Sequence, residues 1–335
     1  MQTPIDIAVV GATGAVGRLL VLLLEKRGFP VGDLHLLASA RSAGKIIQYR
    51  GLNLEVKALD EFDFSQVKLC FFSAGKKVSE EYVPKAVEAG CIVIDNTSCF
   101  RYDDDVPLVI PEVNAQAIND HQKRSIIANP NCSTIQLLVA LKPIHDAVGI
   151  KRIIVSTYQA VSGAGQSVVD ELKQQISYLM NEFSIESNVF SEQFAFNVLP
   201  KIDEFEDNGY TREEMKISRE TKKILDDKIL VSATAVRVPV VNCHSEAVTI
   251  ETDKLITPEE AVKLLETAPG VKITNTDQTK DFPQPINVYG SDDVYVGRIR
   301  PAEAFKNGLS MWIVGDNLRK GAATNAIQIA EILTK

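Results

Sequence analysis

The chain has 335 residues, enough for about two domains, with 45% hydrophobic and 24% charged residues, the balance of an ordinary globular protein. Its net charge of −8 argues against a general nucleic-acid surface, which must attract phosphate, while leaving room for a local basic pocket. Its five cysteines, Cys70, Cys91, Cys99, Cys132 and Cys243, form no C-x-x-C pair, which argues against zinc knuckles and suits reduced thiols rather than a disulfide framework.

Residues 5–10 read as a strand, and 16–27 as a helix stopped by Gly28 and Pro30. Strands follow at 34–38 and 67–73, then a helix at 79–89 and a strand at 91–95. Strands that alternate with helices, several of them continuously apolar, predict a doubly wound parallel sheet of Rossmann type. Beyond residue 131 the character changes. Longer strands are expected at 152–159, 230–240, 247–252, 288–299 and 309–314, with helices at 166–182 and 258–266. This pattern predicts an α+β catalytic and dimerisation domain with a mostly antiparallel sheet. The expected division is 1–130 and 131–316, with residues 317–335 and their helix at 322–333 returning to the first domain. The chain shows no run of 18 apolar residues and no basic region ahead of the first strand, so a cytoplasmic protein without a membrane span is expected.

Two segments carry chemistry. The first is Gly11-Ala12-Thr13-Gly14-Ala15-Val16-Gly17, a G-x-x-G-x-x-G turn between strand and helix. Small residues there permit a tight turn and close backbone approach, and the helix N-terminus receives a pyrophosphate. The strand at 34–38 ends in Ala38-Ser39-Ala40-Arg41-Ser42, without the acid that would bind a ribose 2′-hydroxyl. Arg41, helped by Ser39 and Ser42, suits a 2′-phosphate and hence NADP; the alternative is a solvated loop cation. Ser73-Ala74-Gly75 ends another strand at the same sheet edge, either for cofactor approach or as an ordinary turn.

The second segment is Asn129-Pro130-Asn131-Cys132-Ser133-Thr134, ahead of an apolar helical run. A helix starting there holds Cys132 at the positive end of the dipole, which favours the thiolate nucleophile. Cys70 and Cys91 lie in apolar strands and read as small core residues. Of the four histidines, His35, His121, His145 and His244, the last follows a strand in a position that could present an acid/base. A thiolate beside a dinucleotide site suggests redox exchange between an aldehyde and an acyl group through a thioester.

These segments, with Tyr158-Gln159-Ala160-Val161-Ser162-Gly163-Ala164-Gly165, Glu213-Glu214-Met215-Lys216, Arg237-Val238-Pro239 with His244, and Asp316-Asn317-Leu318-Arg319-Lys320-Gly321-Ala322-Ala323, resemble the aspartate-semialdehyde dehydrogenase family over essentially the whole length. The resemblance implies conversion of L-aspartyl-4-phosphate to L-aspartate 4-semialdehyde and phosphate with NADP. That step belongs to biosynthesis of lysine through diaminopimelate, threonine, methionine and isoleucine. It also implies a homodimer. By resemblance, Cys132 is the nucleophile, His244 the acid/base, and Gln159 orients the substrate. Arg237 pairs with the α-carboxylate and Glu213 with the α-ammonium. Arg101, Lys216 and Asn131 hold phosphate. Gly11, Thr13, Gly14, Ala15 and Val16 cradle pyrophosphate, with Ser162, Gly163 and Asn317 near the nicotinamide end. Plainer readings stand beside these: Glu213 and Lys216 as a solvated i,i+3 pair, Arg101 as a counter-charge to Asp103-Asp104-Asp105, and Gln159 as a strand cap.

Two related chemistries compete. An N-acetylglutamyl phosphate reductase would give Glu213 no ammonium to bind. A glyceraldehyde-3-phosphate dehydrogenase would carry Ser-Cys-Thr-Thr, which is absent at Cys132. A binding protein without catalysis would have no need of both Cys132 and His244. No metal-ligand cluster is visible in the sequence, and none is required by thioester chemistry.

Overall fold

The structure is a computed structural model, described here for residues 3–183, 192–274 and 281–334. The chain forms two compact units: Met1–Pro130 with Ala322–Lys335, and Asn131–Gly321.

In the first unit, β1 (Ile5–Val10) is followed by α1 (Ala15–Lys26), β2 (Val31–Ala38), β3 (Ile46–Tyr49), β4 (Leu52–Ala58), β5 (Leu69–Phe72), α2 (Lys76–Glu88), β6 (Ile92–Asp95), the short α3 (Pro111–Asn114) and β7 (Ile126–Ala128). The sheet order is β3-β4-β2-β1-β5-β6-β7, parallel except for the β3–β4 hairpin. From β1 the chain moves one way to β2 and later the other way to β5, which makes a topological switch point beside β1. The four central strands are lined with fully buried residues such as Ile7, Val9, Leu36, Phe71 and Ile94, as a sheet covered on both faces requires. The β3–β4 hairpin was not expected. Its strands are partly polar, β3 has only four residues, and its turn runs through Arg50 and Gly51, both at positive φ (48° and 76°).

In the second unit, α4 (Cys132–Val148) leads to β8 (Ile150–Gln159), α5 (Gln166–Met180), α6 (Arg212–Ile224), β9 (Leu230–Arg237), β10 (His244–Thr252), α7 (Pro258–Glu266), β11 (Val271–Ile273), α8 (Pro285–Val288), β12 (Val294–Pro301) and β13 (Gly308–Gly315). The sheet order is β11-β12-β13-β10-β8-β9, with antiparallel pairing in the middle and parallel pairs at both edges. The expected strand at 288–299 is two elements: Pro285 opens a helical turn, and Gly290 (φ 87°) turns the chain before β12. The expected strand at 230–240 stops at Arg237, ahead of Pro239. The final helix α9 (Thr324–Leu333) belongs to the first unit, where Arg27 of α1 holds Glu331 at 2.7 Å. It is preceded by a wide turn at Arg319–Ala323 rather than starting at residue 322. No helix among the described residues is long and apolar enough to cross a membrane.

Candidate active site

In the first unit, the ends of the parallel strands bring the glycine turn, Ser39–Ser42 and Ser73–Gly75 to one edge. Gly11 has φ 86°, and a Cβ there would lie 2.5 Å from the Ser73 carbonyl oxygen, so only glycine lets β1 turn against the end of β5. Gly17 packs on Gly11 more closely still. Gly14 caps α1 in an extended conformation without any side-chain hydrogen bond, so the amides of Ala15 and Val16 stand in the unpaired first turn. That turn holds no acidic residue. An anionic pyrophosphate fits this arrangement. Arg41 and Ser39 are exposed in the loop after β2, whereas Ser42 is buried. Gly75 (φ 93°) caps α2, with open space where its Cβ would stand. Arg101 also lies in this unit: it is buried, and its Nη2 donates to the Asn96 carbonyl at 2.9 Å. The acid run near it is bridged by Arg124, which donates to Asp103 at 2.6 Å and to Asp105 at 3.3 Å.

The second unit assembles most of the predicted substrate residues. Asn131 caps α4, its Oδ1 accepting the Ser133 and Thr134 amides at 3.0 and 3.4 Å. Cys132 is therefore the first helical residue, half-buried, under the positive end of the dipole. A Cβ on Gly321 would meet the Cys132 Cβ at 2.9 Å, so the chain after β13 packs directly on the cysteine.

The sheet supplies the opposite wall. Parallel pairing sets the last residues of β8 and β9, Gln159 and Arg237, side by side. His244 was expected after a strand; it is instead the first residue of β10, because Cys243 takes φ 70° and turns the chain into the ladder. The Cys243 amide donates to Asn317 Oδ1 at 2.9 Å, and Asn317 Nδ2 reaches Ser162 Oγ at 3.0 Å. Asn317 and Ser162 thus brace the bend that leads to His244.

His244 is fully buried, and its Nδ1 accepts the Ala160 amide at 3.0 Å. The neutral ring consequently carries its proton on Nε2, which has no partner in this structure. Burial, reinforced by Arg237, lowers its pKa to about 3, so the ring is neutral at neutral pH. Gly163 completes this corner: a Cβ there would lie 3.2 Å from His244 Nε2 and 3.4 Å from Arg237 Nη1. Arg237 Nη1 donates to the Ala160 carbonyl at 2.7 Å. Burial lowers its pKa, against the pull of Glu213 and Cys132.

α6 closes the cluster. Glu213 Oε1 accepts from Asn131 Nδ2 at 2.9 Å and Gln159 Nε2 at 3.2 Å, and Oε2 accepts from Lys216 at 3.0 Å. The i,i+3 pair therefore exists, but Glu213 is buried and Lys216 half-buried, so it is not a solvated pair. Although burial opposes it, the attraction of Lys216 and these donors hold the Glu213 carboxyl at about 2. Gln159 is not a strand cap: its Nε2 donates to Ser133 Oγ at 2.9 Å and to Thr157 Oγ1 at 3.3 Å. Sequence reasoning missed Glu220, which accepts the Asn131 amide at 2.7 Å, and Asp203, which accepts from Lys216 at 2.9 Å. Glu220 stands seven residues after Glu213 on one helix face, a spacing that could have revealed it. Asp203 lies in a loop and gave no such signal. Among the described residues no group of three or more His, Cys, Asp or Glu side chains could hold a metal.

A dinucleotide-type sheet in one unit, with a cysteine at a helix start and a buried histidine on a mixed sheet in the other, is the layout of a two-domain nicotinamide-dependent oxidoreductase. Residues 6–121 match the family described as semialdehyde dehydrogenase, NAD binding domain, and residues 141–320 match semialdehyde dehydrogenase, dimerisation domain. An aspartate-semialdehyde dehydrogenase of Legionella pneumophila is 56% identical over 337 aligned positions, covering 100% of this chain and 97% of that protein. The crystal structure of aspartate semialdehyde dehydrogenase II from Vibrio cholerae, complexed with ASA, aligns with TM-score 0.96 and 52% identity, over 99% of this chain and 98% of that one. The Candida albicans enzyme, solved with NADP, aligns with TM-score 0.78 and 26% identity, over 99% of this chain and 98% of that one. The chain belongs to the aspartate-semialdehyde dehydrogenase family, whose reaction serves amino-acid biosynthesis.

Proposed function

We propose that this protein catalyses the NADP-dependent reductive dephosphorylation of L-aspartyl-4-phosphate to L-aspartate 4-semialdehyde and phosphate. The observation that carries this reading is the cluster of Asn131, Gln159, Glu213 and Lys216 beside a helix that begins at Cys132.

Cys132, as thiolate, attacks the acyl carbon, and phosphate leaves with the electrons of the broken C–O bond. A thioester remains on the sulfur. NADPH, when bound, supplies the hydride that reduces it. The oxyanion of the resulting thiohemiacetal meets the proton on His244 Nε2, the one ring position that Ala160 leaves available. Collapse restores the carbonyl and returns the thiolate. His244, the proposed acid/base, acts in this tautomer as the hydrogen-bond donor to the oxyanion through Nε2, with no net proton transfer in the steps above.

Arg237 has donors beyond the one spent on Ala160 and would pair with the α-carboxylate. Glu213 is the carboxylate for the α-ammonium, which would take the place of a donor it now holds. Gln159 orients the acyl group from the same hydrogen-bond set. Lys216, Asn131 and Arg101 would hold the phosphate. Gly11, Thr13, Gly14, Ala15, Val16, Ser73 and Gly75 would line the cofactor, with Ser162, Gly163 and Asn317 toward the nicotinamide. Exposed Arg41 with Ser39 supports a 2′-phosphate and hence NADP; buried Ser42 lends less support than its neighbours.

The reading extends to a cytoplasmic homodimer that feeds lysine, through diaminopimelate, threonine, methionine and isoleucine synthesis. The match to a dimerisation domain supports the dimer, as does the exposure of Ile154, Tyr158 and Leu230 on neighbouring strands β8 and β9. The test is phosphate-dependent reduction of NADP with L-aspartate 4-semialdehyde, run beside NAD. Turnover with NADP that requires phosphate is expected. Turnover only with an N-acetylated glutamate semialdehyde, or none with either cofactor, would overturn the assignment.

A further inference from the structure

Behind the active-site row lies a second, unexplained polar row. Residues two apart on a strand share a face, so Glu246 sits directly behind His244 on β10. It pairs with Thr157 of β8 and Ile313 of β13. Glu246 is fully buried, and neither carboxyl oxygen has a hydrogen-bond partner. An isolated carboxylate in such a place is very costly, whereas a neutral carboxylic acid is tolerated. The charged side chains of the row in front are committed elsewhere: Arg237 to Ala160, and Glu213 to Asn131, Gln159 and Lys216.

The group that faces Glu246 is Gln136, four residues after Cys132 on α4 and itself buried. Gln136 Nε2 donates to the His244 carbonyl at 3.3 Å. Its position is confined from the far side: a Cβ on Gly315, the register partner of His244, would lie 2.9 Å from Gln136 Oε1. One carboxamide, wedged between β10 and β13, therefore joins the helix of the nucleophile to the strand of the histidine.

We propose that Glu246, as a neutral carboxylic acid whose proton can turn to the neighbouring Gln136 carboxamide, is a positioning residue that keeps Gln136 in its bond to His244 and so fixes His244 relative to Cys132. This rests on the roles proposed above for Cys132 and His244. Glu246 touches no reacting atom in this arrangement. Burial also pushes its carboxyl well above the usual range, with only Gln136 opposing, which agrees with the neutral form. Glutamine should substitute for it, because a carboxamide offers one donor and one acceptor group in nearly the same shape. Leucine should not.

The test compares Glu246→Gln, Glu246→Leu and Gln136→Met in the full-length enzyme. Each is assayed for kcat, for KM of L-aspartate 4-semialdehyde, and for Tm, with His244→Ala as a control on the function itself. Expected is rescue by Glu246→Gln to within about 2-fold of the parent, and a fall in kcat of about 10-fold or more in Glu246→Leu and Gln136→Met with KM nearly unchanged. Should Glu246→Leu fail to fold, the contrast between Glu246→Gln and Gln136→Met decides the matter. Equal losses in Glu246→Gln and Gln136→Met, or parental kcat in Gln136→Met, would overturn the proposal. Full activity in His244→Ala would instead overturn the function on which it rests.

Discussion

At the scale of single residues, the site is a set of titrations that folding has displaced, and pH makes them visible. His244 has a folded pKa near 3 against 6.5 when solvated, so the unfolded chain binds the proton that the folded chain refuses. Stability should fall as pH drops from about 6.5 toward 3, and His244→Gln should flatten that slope in denaturant titrations. Glu213 acts in the same direction lower down, its contribution present above about 4.5 and lost toward 2. Glu246 has the opposite sign: its raised pKa makes stability decline as pH rises above 4.5, so Glu246→Gln should gain stability at neutral pH. An unchanged pH slope in His244→Gln would mean that the ring is solvated in the folded protein. Asn131 carries two duties, as cap of α4 and as donor to Glu213. Asn131→Ala should cost about 1 kcal/mol from the lost cap alone, read as a lower Tm, and should raise substrate KM as well.

At the scale of elements, backbone approach decides more than side-chain chemistry. The turn between β1 and α1 closes because Gly17 and Gly11 lack side chains. Gly17→Ala should therefore abolish measurable NADPH binding by fluorescence titration, while normal binding would place the cofactor elsewhere. This turn was legible in the sequence because the spacing of its glycines reports steric need directly. So was the start of α4, since an Asx residue ahead of an apolar helical run is a cap with a mechanism. The β3–β4 hairpin was not legible, because β3 has only four residues, both strands are partly polar, and the turn pairs Arg50 with Gly51 instead of Asn or Asp with Gly. The start of β10 was misread because Cys243, a residue with no turn preference, adopts positive φ under the hold of Asn317. Spacing alone revealed that Glu213 and Lys216 could pair; it could not tell a solvated pair from a buried one, since that depends on Asn131 and Gln159 from distant segments. Glu246 was invisible for the same reason. Its burial comes from the helix laid across its strand.

At the scale of the whole molecule, the proposed chemistry divides between the two units. The first has the features of a nucleotide cradle, with Arg41 as the proposed reader of the 2′-phosphate. Arg41→Ala should raise KM for NADP by about 10-fold or more while leaving that for NAD nearly unchanged. The second unit carries the residues proposed for the acyl chemistry and an exposed apolar strand face, so sedimentation should find a dimer at micromolar concentration. Both units converge on one claim, that the substrate passes through a covalent bond to Cys132. The most direct test is a rapid-mixing experiment with L-aspartate 4-semialdehyde and NADP in the absence of phosphate, followed by mass spectrometry of the quenched protein. The account predicts a burst of NADPH close to one per subunit and an aspartyl adduct on the peptide that contains Cys132, both lost in Cys132→Ala. A burst without an adduct at Cys132, or an equal burst in Cys132→Ala, would contradict it.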